Sequence, residues 1–150
     1  MVDRRLLQKK KFLQKIKVIF SKINGIKILE YTEQKIFNDN YLQNIGFYST
    51  AKQADSKIPF FSKESEIVEW IIDLVDFETT QIWYLWVYDY LVKVQILHVR
   101  TAIQNFWEHI NPDSKGFVLI AENKKIMYEF GNDSRDEDNI LFDKYFLIYN

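Results

Sequence analysis

Apolar positions repeat at helical spacing in some stretches of this chain and alternate at strand spacing in others. Ile67, Trp70, Ile71, Leu74 and Val75 fall at i, i+3, i+4, i+7 and i+8, which predicts an amphipathic helix over residues 63–77. Pro59 disfavours helix at Ile58, and Ser62 is placed to cap that helix. The outer face of this helix is acidic, with Glu64, Glu66, Glu69, Asp73 and Asp76. Val99, Ile103, Phe106, Trp107 and Ile110 repeat the pattern and predict a second helix over residues 99–110, stopped by Asn111-Pro112. Residues 4–23 place Leu6, Leu13, Ile16, Phe20 and Ile23 roughly on one side with lysines around the rest, and Asn24-Gly25 supplies the stop.

The strand signals have a different rhythm. Ile26, Ile28 and Leu29 predict a short strand. Gln81 to Tyr88 is apolar on both alternating faces and rich in aromatic and β-branched types, as a central strand covered on two sides would be. In residues 91–98, Val92, Val94 and Ile96 alternate with Lys93 and Gln95, favouring a second strand hairpinned through Asp89-Tyr90. Leu91, Val94 and Leu97 also fit a helix, so that alternative stays open. Phe117–Ala121 and Ile126–Phe130 flank the turn Glu122-Asn123-Lys124-Lys125 and predict a hairpin. Asn132–Asn139 reads as an acidic loop and Ile140–Tyr149 as a closing strand. Residues 32–61, with Asn38-Asp39-Asn40 and Gly46, read as a long ordered connection in which Phe47, Tyr48, Phe60 and Phe61 need burial. The expected architecture is an α+β single domain over residues 1–150. It has a mostly antiparallel sheet, two amphipathic helices and a basic N-terminal helix within residues 1–24 that is able to protrude.

Composition sharpens this picture. Apolar residues make up 47% and aromatics 17% of 150 residues, enough ring area to fill one core without disulfides. Cysteine is absent, which excludes a disulfide scaffold, a Cys zinc site and thiol chemistry. The net charge of −1 conceals a segregation. Residues 1–27 carry nine basic side chains against Asp3 alone, and the remaining chain carries 11 basic and 20 acidic ones. Such a body attracts an oppositely charged partner, clasps itself or touches an anionic surface. No apolar stretch is long enough to span a membrane, and no export signal follows the basic start, so a cytoplasmic protein is expected.

Catalytic chemistry finds little support. His98 and His109, 11 residues apart, do not match a zinc-helix spacing. A small hydrolase or nuclease using either histidine with Lys93 or Arg100 remains an alternative. No Gly-x-Ser-x-Gly elbow or glycine-rich phosphate loop occurs. The segment Asp133-Ser134-Arg135-Asp136-Glu137-Asp138 fails the EF-hand pattern, because Leu141 and Leu147 stand where glycine and glutamate are required. No metal or cofactor is therefore expected. The N-terminal helix supplies a further alternative, an adaptor for nucleic acid or a membrane surface, although no specific nucleic-acid signature is present. Among the strand aromatics, Tyr88 and Tyr90 near a strand end are the better candidates for a binding surface.

The order of Ile82-Trp83-Tyr84-Leu85-Trp86-Val87-Tyr88-Asp89, a helix ending Phe106-Trp107, then the run Gly116 to Phe130 and an acidic segment resembles small bacterial immunity proteins. These belong to polymorphic-toxin and contact-dependent growth inhibition systems, and the resemblance covers roughly residues 80–145. It implies a non-catalytic protein that binds and neutralises a cognate toxin domain. Many such toxins are basic nucleases, which would suit Glu122, Glu129, Asp133, Asp136, Glu137, Asp138 and Asp143 as docking carboxylates, with Arg135 among them. The basic N-terminal helix departs from the acidic surface usual in that group.

Overall fold

The computed structural model describes residues 3–33, 39–47, 49–123 and 125–147. Asn38, Tyr48, Lys124 and Tyr149, which figure in the expected turns, burial and closing strand, lie outside the described residues. Among the described residues the chain runs α1 (Arg4–Ser21), β1 (Ile26–Glu33), α2 (Asp39–Asn44), β2 (Ser56–Pro59), α3 (Glu64–Leu74), β3 (Ile82–Val87) and β4 (Tyr90–Ile96). It continues through α4 (Val99–His109), β5 (Phe117–Ala121), β6 (Ile126–Asp133) and β7 (Asp136–Phe146). The strands form one sheet in the order β1-β4-β3-β5-β6-β7-β2, with every neighbouring pair antiparallel. This is an α+β single-domain fold.

Strand alternation sorts the side chains between two faces. Trp83, Leu85 and Val87 of β3 join Val92, Val94, Phe117, Leu119, Phe130 and Phe142 under α1, α3 and α4. The helices reach this face with the residues their spacing predicts, Ile67 and Ile71 from α3 and Ile103, Phe106 and Trp107 from α4. Phe130 sits at the centre of an aromatic group, with ring centroids 5.7 Å from Trp70, 5.4 Å from Phe117 and 5.0 Å from Phe142. The opposite face has a thinner cover. Leu42, Tyr41, Ile45 and Phe47, from α2 and the residues after it, pack on Leu91, Ile120, Met127, Tyr145 and Leu147.

Helix α1 divides along its length. Asp3 caps its start through the Arg5 N–H at 2.9 Å, and Ile16 and Phe20 near its end are buried in the core. Leu6, Leu7 and Val18 are exposed. The chain then turns at Gly25, whose φ of +85° suits glycine, and where a Cβ would come 2.9 Å from both Ala102 N and His98 O. That close approach lets the Gly25 carbonyl accept from the Leu97 and His98 N–H groups.

Several expectations are corrected by this geometry. Residues 132–139 are not a loop: β6 runs on to Asp133 and β7 starts at Asp136, leaving a tight turn at Ser134-Arg135. Asn132 makes this possible, because its side-chain amide donates to the Asp136, Glu137 and Asn139 carbonyls. Residues 90–96 are strand, and the turn before them is Tyr88-Asp89 rather than Asp89-Tyr90, since Val87 pairs with Tyr90. Within the irregular stretch, β2 docks on β7 with Pro59 opposite Asn139, and Phe61 is 93% exposed instead of buried. Helix α3 starts from Lys63 rather than from a Ser62 cap. Strand β1 extends to Glu33 and carries a bulge between Ile28 and Glu30 that leaves Leu29 exposed. His98 is exposed at the start of α4, past the end of β4 at Ile96.

Candidate docking surface and the ion cluster behind it

The β6–β7 hairpin carries seven of the ten residues singled out from the sequence and brings four of them together, Glu129, Asp133, Arg135 and Asp143. The reason is phase. Asp143 alternates with Leu141, Tyr145 and Leu147, so it points to the thinly covered face and is only 1% exposed. A charge at that depth requires partners. Arg135 reaches back from the turn and donates from Nη2 and Nη1 to the two Asp143 oxygens, at 2.5 and 3.2 Å. Lys52 Nζ donates to Asp143 Oδ1 at 2.8 Å and to Asp55 Oδ2 at 3.1 Å. Arg135 also holds Asp133 through Nε and Nη2, at 3.0 and 2.9 Å, and the Lys52 carbonyl through Nη1 at 3.0 Å. One guanidinium thereby ties the hairpin turn to the segment around Lys52, using the planar fork that lysine lacks.

The ionisation of the group follows from this wiring. The Arg135 hydrogen bond holds Asp133 below the usual carboxylate range. Burial pushes Asp55 upward, but the Lys144 N–H at 2.8 Å and the Lys52 ammonium outweigh it and leave its pKa lowered. Glu129 lies on the same face without such support. Burial, and next the negative Asp143, raise its carboxyl to about 7, with Arg135 opposing. Burial also pushes the Tyr145 phenol up, with Glu129 adding to the effect.

Glu129 borders two small cavities, one of about 210 Å³ beside Trp86, Asn111 and Lys115, the other of about 240 Å³ beside Phe47 and Thr50. Its titration has a stability consequence with a definite sign. In the unfolded chain the carboxyl ionises near 4.5, and in the folded chain near about 7. Between those values the folded state holds the extra proton, so stability falls as pH rises through that window and stays reduced above it. The ceiling on this loss is about 3 kcal/mol. Glu129→Gln is expected to raise stability by about 1–2 kcal/mol at about pH 8 and to flatten the decline between about pH 5 and 7. Thermal unfolding across that range checks it. Asp133 and Asp55 act with the opposite sign, because their depressed values withdraw stability only as pH falls below the ordinary carboxylate range.

The remaining selected residues are spread out. Asp136 accepts from Asn139 at 2.8 Å and pairs with Lys57 at 3.6 Å, while Glu137 and Asp138 are exposed at the tip with no ion pair among the described residues. Glu122 lies at the other end of the sheet, in the β5–β6 turn, 3.4 Å from the Thr80 hydroxyl. Tyr88 is half exposed with a φ of 53°, its ring 5.2 Å from that of Phe12, and Tyr90 packs partly buried on the core. His98 and His109 stand at opposite ends of α4, about 16 Å apart by helical rise, too far to share a proton. Arg100 pairs with Glu69 across α4 and α3.

Sequence reasoning missed Lys52, Asp55 and Phe61. The Phe60 N–H donates to the Asp138 carbonyl at 2.9 Å, which places the exposed Phe61 ring beside the tip carboxylates. Phe60 supports it edge-on at 5.4 Å. Along the chain this ring is followed by Lys63, Glu64 and Glu66, and the backbone bond sets its segment beside the Asp138 end of β7, where Glu137 and Asp138 are exposed. An unburied aromatic on an acidic rim suits capture of a basic macromolecule.

Among the described residues no group of three or more histidines or carboxylates is arranged to hold a metal ion, and no helix is long and apolar enough to cross a membrane. Comparison with protein-family models, curated proteins and solved structures gave no match to this chain.

Proposed function

We propose that this chain is a non-catalytic protein-binding module acting in the cytoplasm, an immunity protein that binds and neutralises a basic toxin domain. The observation that carries this reading is the exposed Phe61 ring, one residue from the Phe60–Asp138 backbone bond, with the exposed Glu137 and Asp138 at the start of β7 next to a turn locked by Arg135. Long-range attraction to the carboxylates steers a basic partner into contact, and insertion of a rigid ring into a pocket then holds it. The locked turn lowers the entropy lost on docking, since Arg135 fixes the hairpin before the partner arrives.

The test is titration of the purified chain with the effector domain encoded beside its gene. Tight, salt-sensitive binding is expected. Phe61→Ala is expected to weaken it by about 10–100-fold through faster dissociation. Glu137→Gln with Asp138→Asn is expected to slow association and flatten its salt dependence. Absence of binding at every ionic strength overturns the proposal. Unchanged affinity in the Phe61 variant overturns the assignment of the face.

A further inference from the structure

Helix α1 has one surface that the core does not use. Lys11, Lys15, Val18 and Lys22 recur at spacings of four, three and four, so they line up along one side of the helix. Ile16 and Phe20 occupy the buried side. Across from the lysine stripe stand Tyr88 in the β3–β4 turn and Ile110 and Pro112 after α4, and together they enclose a groove of about 850 Å³. A second depression of about 390 Å³, bordered by Leu7 and Phe12 and sharing Lys11 and Lys15, continues it towards the start of the helix.

Two observations define what belongs there. The lysines are in excess: Arg4 to Ser21 contains no carboxylate, Asp113 is the one carboxylate among the groove's lining residues, and among the described residues Lys9 alone of the helix cations forms an ion pair, with Glu33 at 2.9 Å. Cations four residues apart repel, so Lys11 and Lys15 weaken the helix they share until an anion is placed between them. Between the charges the groove offers apolar surface, with Val18 57% exposed and Tyr88 51% exposed, among polar residues such as Gln14 and Asn111.

We propose that this groove binds an acidic polypeptide segment that carries apolar side chains, with its carboxylates on Lys11, Lys15 and Lys22 and its apolar groups on Val18 and Tyr88. The shape and charge favour protein over nucleic acid or membrane. A phosphate backbone brings no apolar groups for the exposed Val18 and Tyr88. A bilayer needs a projecting apolar ridge, whereas Val18 and Tyr88 line a concave channel. The proposal does not rest on the acidic face around Phe61, and the two can fail separately.

The experiment follows backbone amide shifts of the isotope-labelled full chain during titration with a synthetic amphipathic peptide of leucine and glutamate. Shifts are expected at Lys15, Val18, Lys22, Tyr88 and Ile110, with affinity falling roughly tenfold between low and moderate salt. Val18→Ser and Lys15→Glu, both at exposed positions and each checked for an unchanged fold by its own spectrum, are each expected to weaken binding by roughly tenfold or more. Parallel titrations use duplex RNA, phosphatidylglycerol vesicles and increasing concentration of the chain itself. Shifts at these residues from any of those three without shifts from the peptide overturn the proposal, as does a peptide that binds but leaves them unmoved. Loss of toxin binding in a Phe61 variant with peptide binding intact would separate this groove from the acidic face.

Discussion

Arg135→Ala is expected to destabilise the protein by about 3–5 kcal/mol, the usual cost of stranding a buried charge. Asp143 is 1% exposed and, among the described residues, keeps only Lys52 as a donor once the guanidinium is gone. The Lys52 carbonyl loses its guanidinium donor at the same time, and Asp133 is left with the backbone N–H of residue 135 in place of the fork. Arg135→Lys is expected to recover part of the loss, because an ammonium cannot reach both carboxylates and the carbonyl with one planar group. The pair Arg135→Met with Asp143→Leu is expected to lie much closer to the parent than Arg135→Ala, since it removes the charge that needed compensation. Urea unfolding of the four proteins measures this ordering. If Arg135→Ala matched the parent, the cluster would be ornamental and the hairpin would be held by its strand pairing alone.

Phe130→Ala is expected to cost about 3–5 kcal/mol as well, for a different reason. Its ring is 2% exposed and lies between Trp70 of α3, Phe117 of β5 and Phe142 of β7, so truncation opens a cavity where helix and sheet meet. Phe130→Leu keeps most of the volume and is expected to lose less than about 1.5 kcal/mol. Trp70 reports the event directly, because its indole also donates to the Ser56 hydroxyl at 3.0 Å and so bridges α3 to β2. Urea midpoints read by tryptophan fluorescence distinguish a cavity, which shifts the midpoint, from a general loosening, which lowers the slope. The neighbouring backbone leaves no room for compensation on one side: Gly116 has a φ of +106°, and a Cβ there would overlap the Phe130 carbonyl.

The helices over 64–74 and 99–109 and the strands over 82–87, 90–96 and 117–121 were legible because each has a face whose burial repeats at its own period. The hairpin at 132–139 was not, because its pairing is licensed by the amide of Asn132 and the fork of Arg135, and acidic composition alone reads as a loop. Asp143 carried a signal that went unread: it occupies the inward phase between Leu141 and Tyr145, and a charge in that phase implies a buried partner. Lys52 and Asp55 carried none, since they come from a segment without periodicity whose path is set by β7. Phe61 misled in the opposite direction. Hydrophobicity argues for burial, but the preceding Phe60 takes the inward position and the turn into α3 carries the next ring outwards.

The margins of the sheet bear on how any second polypeptide can attach. At one side β1 is interrupted at Leu29, and at the other β2 is four residues long and ends in a proline that has no N–H to offer. Neither margin gives an incoming strand a continuous ladder, so the molecule resists the backbone templating from which fibrils grow. Recognition is left to side chains, which discriminate between visitors in a way that a bare main chain does not.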